Sequence, residues 1–350
     1  MGKYLHPSKK ILGEESTTLV GKKIALGVTA SAAIYRSIDL ARELMRRGAE
    51  VTVVMSYEAK KLISPNLFKW ATGNEVITEI TGDVQHVSMS EEYDCLVIAP
   101  ATLNTMAKIA QGIADSLVTL MAQTFIGAKK PLLIVPAMHI QLFKNPLLKE
   151  ISNRLRSVGI HILDPILVKD KAVFPPIKFI ADKVESLILR GEDLRDLSIL
   201  VTAGPTREYI DPIRFISNPS TGLMGVSIAS EAFYRGAYVE LIHGPLTNVD
   251  VPPWITSYRV ETSEEMLEVV SSRLSRQKFN IVILAAAPAD YKPKYMYKEK
   301  IESGIGELTI KLIPTPKIAS IIRDKAPKAL VVGFAAEAVD SYEELINRAK

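Results

Sequence analysis

The feature that most constrains this chain is an alternation of short, continuously apolar segments with amphipathic helical segments, which occurs twice along its 350 residues. The first pass begins at KIALGVTA (23–30) and the second at SILVTAGP (198–205). Continuous apolar runs between helical patterns are typical of strands in a parallel sheet that is covered on both faces. The pattern therefore predicts an α/β fold in each half of the chain.

A charged stretch, RGEDLRD (190–196), separates the two passes. Few apolar residues there would tie the halves together, which is typical of a domain boundary. We predict a loose polar lead-in over 1–20, a first domain over 21–190 and a second over 191–350. The fold class expected is two tandem Rossmann-like three-layer domains with mainly parallel sheets.

Composition excludes several classes of protein. Apolar residues make up 47% of the chain and charged residues 23%, and no run reaches the roughly 18–20 apolar residues that span a bilayer. The first residues lack the apolar core of a secretory signal, and the single cysteine, Cys95, excludes an internal disulfide framework. Cys95 stands inside CLVIAP, so we interpret it as a small core residue. We predict a cytoplasmic protein without a membrane partner.

The net charge of +4 is mild. It would favour phosphorylated ligands, but no basic run with interleaved aromatic residues indicates nucleic acid. Small molecules are therefore the expected partners.

The stretch from Val201 to Gly225 carries the strongest motif, VTAGPTREYIDPIRFISNPSTGLMG. Its layout is a strand, a loop and a helix start, where unpaired amides and the helix dipole favour an anion. Its glycine and proline spacing alone fits any strand-to-helix turn as well. The full residue sequence of the motif is more specific than this spacing. GPTREYID followed by SNPSTGLMG resembles the ligase half of the bifunctional phosphopantothenoylcysteine synthetase/decarboxylase family of coenzyme A biosynthesis.

For the second half, this resemblance implies CTP-dependent ligation of cysteine to 4'-phosphopantothenate through an acyl-cytidylate, with Mg²⁺ accompanying CTP. The motifs AAAPADYK, KEKIE, PKIA and VGFAAE support it. It implies catalytic roles for Asn218 and Lys300. The implied nucleotide-binding residues are Gly204, Ser220, Gly222, Ala286, Asp290, Lys300, Pro316, Lys317, Ile318, Ala319 and Phe334. The residues alone also allow a turn asparagine at Asn218 and a solvated lysine face around Lys300, and they identify no metal ligands.

For the first half, APATLNTMA (99–107) resembles the PASANT motif of flavin-containing cysteine decarboxylases. The implied activity is FMN-dependent decarboxylation of phosphopantothenoylcysteine to 4'-phosphopantetheine. The implied FMN-binding residues are Thr29, Ser31, Ser56, Pro100, Ala101, Thr102 and Thr105. The implied catalytic residues are His86, Asn104 and His139. From the residues alone, the loop also fits a capped strand end, and His86 also fits an ordinary surface or core histidine.

Two departures from the family leave alternatives open. His139 stands where the family has asparagine, although imidazole can also hydrogen-bond a carboxylate. The segment VKDKAVFPP (168–176), which corresponds to the family's flexible clamp, lacks the usual cysteine and has only Lys169, Asp170 and Lys171 as ionisable groups. A ligase with an inactive flavin domain is therefore one alternative. A regulatory flavoprotein is another, disfavoured because such regulators depend on acidic tails.

The resemblance also concerns assembly and length. It implies trimeric flavin domains, dimeric ligase domains and a homo-oligomer of up to twelve chains. Family members continue past the position of Lys350 through a lysine-rich segment that completes the triphosphate site. The expectation is a shortened ligase domain in which Lys350 stands for the first of those lysines, and whether it keeps ligase activity stays open.

Overall fold

A five-stranded parallel sheet lies at the centre of each half of the protein in a computed structural model that describes residues 6–82, 84–169, 171–304, 306–334 and 341–349. Internal contacts divide the chain into two units, Met1–Gly191 and Glu192–Lys350. We call them the first unit and the second unit. The predicted fold class of two mainly parallel α/β domains is confirmed.

The strands of the first unit are β1 (Lys23–Val28), β2 (Glu50–Met55), β3 (Cys95–Ala101), β4 (Leu132–Pro136), β5 (His161–Ile162), β6 (Ile166–Val168) and β7 (Lys171–Val173). The first sheet has the strand order β2-β1-β3-β4-β5, and β6 and β7 form a separate antiparallel hairpin. The helices of the first unit are α1 (Arg36–Arg46), α2 (Tyr57–Leu62), α3 (Pro65–Thr72), α4 (Gln85–Glu92), α5 (Leu103–Ala110), α6 (Leu117–Gly127), α7 (Ile140–Phe143), α8 (Pro146–Ser157) and α9 (Ile177–Leu189). Short 3₁₀ helices occupy Pro7–Ile11 and Ala32–Tyr35.

Burial on both faces explains the continuous apolar strands of the first unit. All seven residues of β3 are buried. On one face, Met106, Met121 and Leu155 from three helices share a core cluster with Leu96 and Ile98 of β3. This packing fixes the carboxyl ends of the central strands, where the loops that carry predicted FMN-binding residues begin.

The strands of the second unit are β8 (Ser198–Ala203), β9 (Arg207–Tyr209), β10 (Phe215–Ser217), β11 (Tyr238–His243), β12 (Thr256–Arg259), β13 (Ile281–Leu284), β14 (Tyr291–Pro293), β15 (Leu312–Pro314) and β16 (Leu330–Gly333). The second sheet has the strand order β12-β11-β8-β13-β16, and two further antiparallel hairpins are formed by β9 with β10 and by β14 with β15. The helices of the second unit are α10 (Leu223–Tyr234), α11 (Ser263–Arg276), α12 (Ile318–Lys325) and α13 (Tyr342–Ala349).

The central strand β8 supplies both cores of the second unit. Val201 and Ala203 pack in one cluster with Ala229 of α10, whereas Leu200 packs in the other with Val270 of α11. Successive side chains of a strand point to opposite faces, so a continuous apolar strand fits a sheet with helices on both sides.

Pro65 begins α3, and the Ser64 side chain caps this helix by accepting from the Asn66 N–H at 3.3 Å, so α2 and α3 are separate helices. One expectation differs from the structure. The lead-in is not loose over residues 6–20: Leu19 is fully buried, and the Gly13 N–H donates to the Met45 carbonyl at 3.1 Å.

None of the helices in the described ranges has the length and apolar character needed to cross a lipid bilayer.

Candidate active sites at the carboxyl edges of the two sheets

A cleft of about 640 Å³ lies where the central strands of the first sheet end, and we call it the N-terminal cleft. It is lined by Ala30, Ser31, Ala32, Ala33, Thr102, Leu103, Asn104, Ala137, Met138, His139, Ile140, Leu142, Lys171, Ala172, Val173 and Phe174. These residues follow β1, β3 and β4 or belong to the end of the β6–β7 hairpin. Ligands of open α/β sheets bind at this edge, at the point where the strand order reverses, which here lies between β1 and β3.

The loop after β3 is held by threonine side chains. The buried Thr29 hydroxyl donates to the Pro100 carbonyl at 2.7 Å and accepts from the Thr102 N–H at 3.3 Å. Thr102 in turn caps α5 by accepting from the Thr105 N–H at 3.2 Å. Thr29, Pro100, Ala101 and Thr105 are buried behind the cleft, so they shape the loop rather than line the cleft.

Three predicted side chains with polar groups line the cleft beside Thr102. Ser31 donates to the Ala137 carbonyl at 3.1 Å. His139 caps α7, its Nδ1 accepting from the Gln141 N–H at 3.4 Å, which leaves Nε2 as the hydrogen-bond donor of a neutral ring. Asn104 is exposed, and its amide has no protein partner within the described ranges. A mainly apolar cleft with few polar groups is the usual form of a cofactor site.

Two predicted residues lie elsewhere. Ser56 caps α2 by accepting from the Ala59 N–H at 3.3 Å. His86 is half-buried in the first turn of α4, and its carbonyl accepts from the Thr124 hydroxyl at 3.1 Å. Neither is among the residues that line the N-terminal cleft.

The hairpin contributes residues that were not among the predicted site residues. Lys171 and Phe174 line the cleft, and Lys171 and His139 are its ionisable lining residues within the described part of the first unit. The clamp segment had been singled out in the sequence, but nothing local indicated which of its side chains face a ligand. Asp170 lies outside the described residues.

A second cleft, of about 630 Å³, lies where β8, β13 and β16 end, and we call it the C-terminal cleft. It is lined by Thr202, Leu284, Ala286, Pro288, Ala289, Asp290, Thr315, Pro316, Lys317, Ile318, Ala319, Arg323, Val331, Gly333 and Phe334. Seven of the predicted nucleotide-binding residues meet here: Ala286, Asp290, Pro316, Lys317, Ile318, Ala319 and Phe334. At its mouth, Lys317 and Asp290 form an exposed ion pair at 2.9 Å.

The glycine turn after β8 lies next to this cleft without being among its lining residues. Gly204 (φ +74°) accepts from the Ala287 N–H at 2.8 Å, and Gly222 (φ +84°) precedes α10. A Cβ on Gly222 would lie 2.3 Å from the end of the Leu246 side chain and 3.3 Å from the Gly204 Cα, and the positive φ of Gly222 also favours glycine. The turn thus presents backbone amides at a helix start.

Asn218 and Ser220 support this turn. The Asn218 amide donates to the carbonyls of Ala287 (3.2 Å) and Pro288 (3.1 Å), and Pro288 lines the C-terminal cleft. Ser220 accepts from the Gly222 N–H at 3.3 Å. Asn218 therefore joins the loop after β8 to the end of β13.

Lys300 is exposed and is not among the residues that line the cleft. Its neighbour Ile301 is fixed: its N–H donates to Asp211 at 3.2 Å, and its carbonyl accepts from Arg214 at 3.0 Å. Burial opposes ionisation of Asp211, but hydrogen bonds from Arg214 and from the N–H groups of Ile213 and Ile301 lower its pKa to about 2. Lys350 lies outside the described residues.

Arg323 was missed among the nucleotide-binding candidates. It lies one helical turn after Ala319, and that spacing was the available signal. For a metal, no group of three or more His, Cys, Asp or Glu side chains occurs in the ranges that the structure describes.

Comparisons with known proteins match both halves of the chain. A protein-family model described as Flavoprotein matches residues 12–189, and one described as DNA/pantothenate metabolism flavoprotein C-terminal domain matches residues 194–350. The chain is 44% identical to the coenzyme A biosynthesis bifunctional protein CoaBC of Thermococcus kodakarensis, over 99% of this chain and 86% of the relative. It is 38% identical to the protein of that name from Methanocaldococcus jannaschii, over 100% of this chain and 85% of the relative. A solved structure of the C-terminal domain of a CoaBC protein is 39% identical, covering 44% of this chain and 72% of that one, with a TM-score of 0.38.

Proposed function

This chain belongs to the family of coenzyme A biosynthesis bifunctional proteins, and from that premise we propose how its two reactions are divided between its units. The second unit ligates cysteine to 4'-phosphopantothenate with CTP, through an acyl-cytidylate. The first unit decarboxylates the resulting phosphopantothenoylcysteine to 4'-phosphopantetheine with FMN. The observation that carries this proposal is a separate cleft in each unit, at the sheet edge where such folds bind ligands.

The N-terminal cleft fits FMN. The small side chains of the alanines at 30, 32, 33 and 137 leave space for a flat ring system, and the Asn104 amide has no partner among the described residues. When bound, FMN supplies the oxidation of the substrate thiolate that makes loss of carbon dioxide possible. His139 donates a hydrogen bond to the substrate carboxylate, and the β6–β7 hairpin limits the access of water. His86 is the proposed proton donor and acceptor.

Absorption and turnover of the purified protein test this half. We expect a flavin band in the visible spectrum and carbon dioxide release from phosphopantothenoylcysteine. Asn104→Ala should weaken FMN binding in a fluorescence titration, whereas Asn145→Ala, which removes the cap of α8 outside the cleft, should not. Bound flavin without carbon dioxide release would instead favour a ligase with an inactive flavin domain. If ligation were absent as well, a regulatory flavoprotein would be favoured.

Next to the C-terminal cleft, the amides around Gly204, Ser220 and Gly222 and the start of α10 are suited to hold phosphates. Lys300, on the loop that Asp211 fixes, stabilises charge at the attacked phosphorus. Because Asp290 is the sole carboxylate among the described lining residues, Mg²⁺ would be held mainly by the triphosphate.

Pyrophosphate release tests the second half. We expect release from CTP that depends on 4'-phosphopantothenate. Asn218→Ala should lower this release because the loop after β8 loses two of the hydrogen bonds that join it to the segment after β13. Asn280→Ala is the matched control, because it removes an asparagine hydrogen bond to the Ser198 N–H at the start of β8, at the opposite edge of the sheet. Decarboxylation without pyrophosphate release would refute ligase activity in this chain.

For the assembly, we propose trimeric first units and dimeric second units in a homo-oligomer of up to twelve chains, in the cytoplasm. Large exposed apolar side chains in each unit support association, including Tyr57 (65% exposed) and Tyr295 (72% exposed). The unpaired, buried Cys95 fits a reducing compartment. Light scattering of the eluted protein measures the mass, and a monomer at micromolar concentration would refute the assembly.

A further inference from the structure

Arg323 is a cation of the C-terminal cleft that the proposed chemistry does not use. Helix α12 buries Ile318 and Ile322 against the core of the second unit. Ala319 and Arg323, four residues apart and therefore on one face of the helix, line the cleft. The small side chain of Ala319 leaves room in front of the longer side chain of Arg323.

Within the described ranges, the guanidinium of Arg323 has no protein partner. Lys317, the other cation of the cleft, is paired with Asp290, and Lys325, two residues further along α12, donates to the Ser275 hydroxyl at 3.0 Å. In the part of the chain that the structure describes, Arg323 makes neither an ion pair nor a hydrogen bond. It keeps five N–H donors in a planar fork.

The strand order places Arg323 at the far end of the cleft from the glycine turn. That turn follows β8, whereas α12 leads into β16, and β13 lies between the two strands. Neighbouring strands are about 4.8 Å apart, so β16 lies roughly 10 Å from β8. A nucleotide with its phosphates at the glycine turn therefore extends its base towards α12 and β16, where Val331 and Phe334 supply an apolar wall.

We infer that Arg323 recognises the base of the nucleotide and selects cytosine over uracil. A guanidinium fork presents two parallel donors, and cytosine offers the acceptors O2 and N3 side by side. Uracil has an N–H at position 3, which would oppose a second donor. This inference rests on the proposed nucleotide function of the C-terminal cleft and adds the residue that sets its base preference.

Nucleotide titrations of the full chain test the inference. Calorimetry would give the Kd of CTP and of UTP for the wild type, Arg323→Gln, Arg323→Lys and Lys325→Gln. We expect Arg323→Gln to weaken CTP binding by about ten- to a hundredfold, as for the loss of a bidentate contact to a base, and UTP binding by less than about threefold. Arg323→Lys keeps the charge without the fork and should also lose the preference, whereas Lys325→Gln should keep it.

Other outcomes overturn the inference in distinguishable ways. Equal losses for CTP and UTP would make Arg323 a general contact for anions, and an unchanged preference in both Arg323 variants would exclude it from base recognition. A wild type that binds neither nucleotide would refute the proposed ligase function itself. Thermal unfolding of each variant checks that the fold is intact.

Discussion

Several polar side chains in the loop after β8 serve the fold rather than a ligand. Glu208 is buried and accepts from the N–H and the hydroxyl of Ser263 at 2.9 and 2.8 Å, which caps α11. The Thr206 hydroxyl accepts from the Ala289 N–H at 2.9 Å. The residues of the GPTREYID motif therefore reflect the contacts that position this loop as much as the chemistry at the C-terminal cleft.

Asp211 should make the stability of the second unit depend on pH in acid. Its folded pKa of about 2 lies below the ordinary value of about 3.9, so the ionised carboxylate stabilises the fold above about pH 4, and this stabilisation is lost as the pH falls towards 2. We expect Asp211→Asn to be less stable than the wild type by a constant free energy of unfolding near pH 7, and by progressively less below about pH 4. Urea unfolding over a pH series measures the difference.

The exposed Asp324 on α12 provides the control, since it makes no hydrogen bond or ion pair within the described ranges and Asp324→Asn should leave the free energy of unfolding near pH 7 close to that of the wild type. A difference between Asp211→Asn and the wild type that persists unchanged to pH 2 would contradict the assigned role of Asp211.

Cys95 should be chemically inert in the folded protein. Burial, with a smaller effect of the Asp94 carboxylate, raises the pKa of its thiol to about 12, so the thiolate is scarce at pH 8. We expect no reaction of the native protein with a disulfide reagent over an hour at pH 8, and one thiol per chain after unfolding in guanidinium. Rapid stoichiometric labelling of the native protein would show that β3 is accessible.

At the scale of elements, the contact between α10 and β8 determines where the glycine turn lies. A Cβ on Gly225 would lie 2.5 Å from the Ala203 Cβ and 2.8 Å from the Thr202 carbonyl, so the helix approaches the strand as closely as backbone allows. Thr202 lines the C-terminal cleft. A shift of α10 would therefore change both the core and the site.

Gly225→Ala should lower the free energy of unfolding by about 1–3 kcal/mol, because the added methyl group forces α10 away from β8. It should also weaken nucleotide binding through the displaced Thr202. Gly127→Ala is the matched control: Gly127 ends α6 with open space around it, so alanine should be neutral or stabilise by up to about 1 kcal/mol. Denaturant unfolding and a CTP titration measure both effects, and equal behaviour of the two variants would contradict the close packing.

At the scale of the whole molecule, the position of His86 bears on assembly. His86 is outside the lining of the N-terminal cleft of its own chain, whereas Asn104 and His139 are part of it. A trimer in which one subunit supplies His86 and its neighbour supplies Asn104 and His139 would bring the three side chains together. This arrangement is consistent with the trimer that we propose.

Mixed oligomers test this arrangement. His86→Asn and Asn104→Ala should each abolish most decarboxylation, but co-expression of the two should restore about a quarter of wild-type activity, because random assembly gives some sites both native residues. Differently tagged chains allow the mixed oligomer to be isolated and assayed for carbon dioxide release. Mixed oligomers without recovered activity would place both residues in one subunit's site, and ligase activity should be unaffected in either variant.

The sequence by itself determined the elements with strong local signals. Continuous apolar runs identified β1, β3 and β8, because strands buried on both faces leave no polar alternation. The motifs also identified many residues of both clefts, including Asn104 and Asp290. The short hairpins were not predicted, since strands of three residues are too short to show a period.

Only the tertiary structure decided which side chains meet. Strand order brings the end of β16 beside that of β13, and so Arg323 and Phe334 line one cleft with Ala286. The tertiary structure also placed Lys171 at the N-terminal cleft and left His86 outside the residues that line this cleft. The physical reason is that local patterns record burial and turn geometry, whereas the neighbours of a side chain follow from packing between segments far apart in the chain.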